Sequence, residues 1–147
     1  MLDLTVSKAA IVLPYFEQLY RSSLVSYGYY QPFLTGIAKI GLALRKAELE
    51  EGEEPPSSAA IGEVIRVISK SANAKNILGQ CEPSVFHGEA IVTWRNRGRE
   101  VSVMSKGRVD DPKVLKYEAG SHPPSRHGIC PRANARSLDQ ALQWLFE

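Results

Sequence analysis

Cysteine is scarce in this chain, and the little there is does not cluster. Cys81 and Cys130 are the two cysteines in 147 residues, and neither belongs to a Cys-x-x-Cys pair. That argues against a disulfide scaffold and against a paired-cysteine zinc module. Long apolar runs are missing too. The stretch Ser22 to Leu44 carries one charge, Lys39, but it is interrupted by Gly28, Pro32, Gly36 and Gly41. A spanning helix needs about 20 predominantly apolar residues in one run, so this stretch reads as buried helix and no membrane is expected as a partner. No Walker-type loop or dinucleotide glycine pattern occurs, which argues against nucleotide chemistry and against a cofactor of that kind. The opening Met-Leu-Asp lacks the basic n-region of a signal peptide, so the expected location is cytoplasmic.

What the chain does contain is ordinary for one globular domain. Its length suits a single core, and 44% hydrophobic with 23% charged residues is a typical balance. The net charge of +2 favours no partner class, but its distribution is uneven. Up to Trp94 acidic residues outnumber basic ones, ten to eight; from Arg95 onward basic residues lead, ten to six.

Hydrophobic periodicity predicts helices first and a sheet second. Ile11, Val12, Tyr15, Phe16, Leu19, Tyr20, Leu24 and Tyr27 recur at helical spacing and predict a helix over about 8–27. Gly28 to Pro32 reads as a break. Pro32 then suits the first turn of a second helix with Phe33, Leu34, Ile37, Ile40 and Leu44 on its stripe, ending near Gly52. Ser57 or Ser58 is positioned to cap a third helix to about Ser71, and Asn73 to Leu78 adds a short turn closed by Gly79. The helical part thus covers about 8–78.

From Glu89 to Glu118 the period changes to two. Glu89–Arg95, Arg99–Ser105 and Lys113–Glu118 read as an antiparallel three-stranded meander, with turn chemistry at Asn96-Arg97-Gly98. Ala90, Val92, Trp94, Val101 and Val103 share the face expected to meet the helices. Arg95, Glu100, Ser102 and Lys116 are expected on a wet face. Residues 119–136 read as an irregular basic loop, and 137–147 as a closing helix capped by Ser137 with Gln140 in a capping box. The fold class is α+β, in a single domain.

Chemistry-bearing residues form three candidate groups. His122, His127 and Cys130 have zinc-ligand character, and Cys81 would complete a tetrahedral set; a Cys81–Cys130 disulfide is the alternative use of the thiols. Cys130 with His127 as base, beside Arg126 and Arg132, is the nucleophile version of the same loop. The spacing is not a standard metal one and no third orienting group is evident, so two ordinary thiols and loop histidines remain the preferred reading. The second group is an arginine rim: Arg95, Arg97 and Arg99 around one turn, with Lys106, Arg108, Arg126, Arg132 and Arg136. It has the charge for phosphate oxygens, but between Arg95 and Arg136 the sole aromatic is Tyr117, which disfavours single-strand stacking. The third is Tyr27, Tyr29 and Tyr30 with Phe33, an aromatic bend suited to a protein interface.

Glu89-Ala-Ile-Val-Thr-Trp94, Arg99-Glu-Val-Ser-Val103, Val114-Leu-Lys-Tyr117, His127-Gly128 and a closing amphipathic helix together resemble small uncharacterised bacterial proteins of mobile-element or toxin–antitoxin neighbourhoods. The resemblance covers about the last 60 residues. It implies a small accessory protein and brings no catalytic motif. The expected function is therefore non-enzymatic: an accessory or regulatory protein acting on another protein, as a monomer or homodimer. A nucleic-acid or anion binder using the arginine rim is the alternative, and a Cys/His enzyme or metal site comes third.

Overall fold

Five short strands follow one another in space in their sequence order. The computed structural model describes residues 27–108, 111–120 and 128–147, with side-chain surroundings from Phe33 onward. The strands are β1 (Glu82–Phe86), β2 (Glu89–Asn96), β3 (Arg99–Ser105), β4 (Lys113–Glu118) and β5 (Ile129–Cys130), each antiparallel to its neighbours. The expected meander is present, extended by one strand at each edge. β1 escapes a propensity reading because Pro83 sits in it, and proline belongs in strands only at edges or ends. β5 is two residues long and lies inside the segment read as irregular.

Two turns set the register. His87–Gly88 joins β1 to β2 and Arg97–Gly98 joins β2 to β3; all four residues have positive φ, 46° and 80° in the first turn, 49° and 80° in the second. This is the type I′ geometry whose twist matches that of the flanking strands. The glycines adopt it without penalty, whereas a left-handed His87 or Arg97 costs roughly 1–2 kcal/mol that strand pairing must offset.

The helices are α1 (Tyr27–Arg45), α2 (Ser58–Lys70), the short α3 (Ala72–Asn76) and α4 (Ala135–Leu145), with a 3₁₀ turn at Leu78–Gln80. The helix expected over 8–27 lies outside the described residues except for Tyr27. The break expected at Gly28–Pro32 is absent: α1 runs through both. Proline inside a helix costs about 3 kcal/mol, but burying Phe33, Ile37, Ile40 and Leu44 returns roughly 1.5–3 kcal/mol each. Packing outweighs the local break. At the other end α1 stops at Arg45, not near Gly52, because apolar contact ends at Leu44 and the acidic run that follows opposes the helix dipole.

Ser57 caps α2 by accepting a hydrogen bond from the Ala60 amide at 3.0 Å. The turn after β3 presses on this cap. Gly107 has φ 88°, and a Cβ there would lie 2.7 Å from Ser57 Oγ and 2.8 Å from the Ala60 nitrogen. Gly79, expected to close a helical turn, lies within the 3₁₀ turn instead. The cap of α4 is Asn134, with Ser137 at N3 completing a reciprocal box. Ser137 is thus the responder, not the cap, because Ala135 and Arg136 join the helix.

One face of the sheet carries the core. Ala90, Val92, Trp94, Val101, Val103 and Val114 pack with the inner residues of α1, α2 and α4 in a single cluster. Trp94 is 1% exposed, and its indole N–H donates to the Ile77 carbonyl at 3.1 Å. Leu138, Ala141, Leu142 and Leu145 dock α4 as its periodicity predicts, while Phe146 stays exposed. Asp139 ties α4 to the start of α3. It accepts from the Ser71 hydroxyl at 2.5 Å and the Asn73 amide at 3.0 Å.

Candidate functional site

The other face of the sheet is less polar than a solvated face should be. In an antiparallel sheet covered on one side, alternate positions are expected to be polar. Here Ile91, Met104 and Leu115 occupy outward positions next to the core residues Ala90, Val103 and Val114. All three are half-buried, and none belongs to the core cluster. Phe86 and Ile129 extend the row to the two edge strands, at 61% and 62% exposure.

Register converts these five residues into a line. Ile91 pairs with Met104, and Leu115 with Ile129. Phe86 pairs with Glu89, one outward position from Ile91; Met104 pairs with Lys113, one outward position from Leu115. Such diagonal neighbours lie about 7–8 Å apart, within reach of long side chains. Each strand therefore contributes one apolar side chain to a diagonal band across the whole sheet. Tyr117 flanks its β4 end, and Thr93 and Ser102 share a hydrogen bond at 2.7 Å beside its middle. Charged groups border it on both sides: Arg95 between Glu82 and Glu100, and Glu89 beside Lys113.

In the arginine rim, Arg95, Arg97 and Arg99 line a shared crevice of about 230 Å³ at the β2–β3 turn, although Arg95 and Arg99 project to opposite faces of the sheet. Arg95 faces outward, with its Nε 2.7 Å from Glu100, and its guanidinium is held more firmly protonated chiefly by that hydrogen bond, with Glu82 adding to it. Arg97 is exposed at the turn. Arg99 points to the helix side, where it pairs with Glu118 at 3.2 Å and lies 4.7 Å from the Trp144 ring centre. Lys116, expected on the wet face, pairs in register with Val101 and stands over the same ring at 5.3 Å. Arg132 is exposed, with φ 52°, just after β5. Arg126 lies outside the described residues.

The cysteine set is dispersed. Cys81 immediately precedes β1 and Cys130 is in β5, at opposite edges of the sheet. Four strand spacings amount to about 19 Å, too far for a disulfide or a shared metal ion. The Cys81 thiol donates to the Leu78 carbonyl at 3.0 Å, and burial pushes its pKa up to about 11. Cys130 is exposed beside a crevice of about 190 Å³ between β4, β5 and α4. His122 and His127 lie outside the described residues. Among the described residues no three His, Cys, Asp or Glu side chains are grouped to hold a metal ion. Tyr27, Tyr29 and Tyr30 lie at the N-terminal end of the described part of α1, and their side chains fall outside the description.

The chain matches no protein-family model, no curated protein and no solved structure. No helix among the described residues is long and apolar enough to cross a membrane. The diagonal band is the feature sequence reasoning missed. Its signal is the presence of apolar residues at both parities of a strand, as in Ala90-Ile91-Val92, Val103-Met104 and Val114-Leu115.

Proposed function

We propose that this chain is a non-enzymatic interaction protein that docks a protein partner on the outer face of its sheet. The diagonal band of Phe86, Ile91, Met104, Leu115 and Ile129 carries the reading. An apolar strip rimmed by charged pairs has the anatomy of an interface, with a dehydrated centre and a polar border. Docking by the face is favoured over docking by an edge. β1 contains Pro83, which has no amide hydrogen to offer a new strand, and β5 is only two residues long. The arginine-rim alternative is less well supported, because Arg95 and Arg99 already hold carboxylate partners on opposite faces. An accessory or regulatory role in a bacterial mobile-element setting is the context that the resemblance of the last 60 or so residues suggests.

Affinity capture from source-cell extract tests this with the wild-type chain and the double variant Phe86→Asp/Ile129→Asp. Both residues are more than half exposed, so the variant should keep its helix and strand signature and unfold cooperatively. The expected result is loss of the proteins that the wild type retains. Equal recovery by a folded double variant would remove the outer face as the docking surface.

A further inference from the structure

We draw no further inference here: the strongest candidate, the apolar band that crosses the outer face of the sheet from Phe86 to Ile129, belongs to the docking surface already proposed, and nothing among the described residues shows what covers it.

Discussion

Arg95 and Arg99, four positions apart around one type I′ turn, project to opposite faces of the sheet. Arg95 is clasped outside by Glu82 and Glu100, whereas Arg99 stacks on Trp144 and donates to its backbone carbonyl at 2.7 Å. An identical substitution at the two sites should therefore have different consequences. Arg99→Ala is expected to destabilise the fold by about 1–2 kcal/mol through the lost cation–π contact and the lost charge-assisted hydrogen bond to the Trp144 carbonyl. Arg95→Ala should cost roughly 0–1 kcal/mol, as exposed ion pairs do. Urea denaturation of the two variants checks the ordering; equal midpoints would contradict it.

Glycines in this fold are not equivalent. Gly107→Ala would force a Cβ into the cap of α2 at a left-handed position, and a loss of about 2 kcal/mol or more is expected. Gly62→Ala, inside α2 with open space around it, should instead stabilise by roughly 0.5–1 kcal/mol through helix propensity. Thermal unfolding should move in opposite directions for the two.

Cys81 and Cys130 should separate cleanly in a thiol-labelling experiment. The exposed Cys130 should react first, and Cys81 slowly, because burial keeps its thiol protonated. The folded pKa of Cys81 lies above its ordinary value of 9.0, so the folded state holds this proton more tightly than the unfolded chain. The associated stability is complete below about pH 9 and is lost as pH rises toward about 11. Cys81→Ala should flatten the stability profile in that window, and an unchanged slope would count against the assignment.

Glu53 fastens the acidic connection to the β1–β2 turn. Its carboxyl is held below the usual 4.5 by backbone hydrogen bonds, first from Glu50 and then from His87. The interaction is therefore present above 4.5 and lost as pH falls through the lower folded value. The His87 amide resonance should report this acidic transition by NMR, and Glu53→Gln should abolish it.

Removing the Asp139 carboxylate should loosen the joint between α4 and α3. Asp139→Ala strips an acceptor from the buried Ser71 hydroxyl and from the Asn73 amide, at an expected cost of about 1–3 kcal/mol. Denaturation midpoints and amide exchange at Asn73 provide the check.

Local pattern alone determined the class of this fold and its inner face. The alternation through Ala90, Val92, Trp94, Val101 and Val103 specifies which side of each strand is buried, because a strand has only two sides. The stripes of α2 and α4 follow from helical period in the same way, and a serine cap at 57 or 58 is legible because it precedes such a stripe, with the structure selecting Ser57. Tertiary structure decided the rest. Whether Gly28 and Pro32 end a helix depends on the packing that opposes the break, and that packing is not local. The edge strands β1 and β5 are too short to declare themselves and exist because neighbours supply their hydrogen bonds. The diagonal band was least visible of all: its five residues are spread from Phe86 to Ile129, and only the strand register brings them into line. Periodicity reports which way one strand faces, whereas a surface is made by many strands at once.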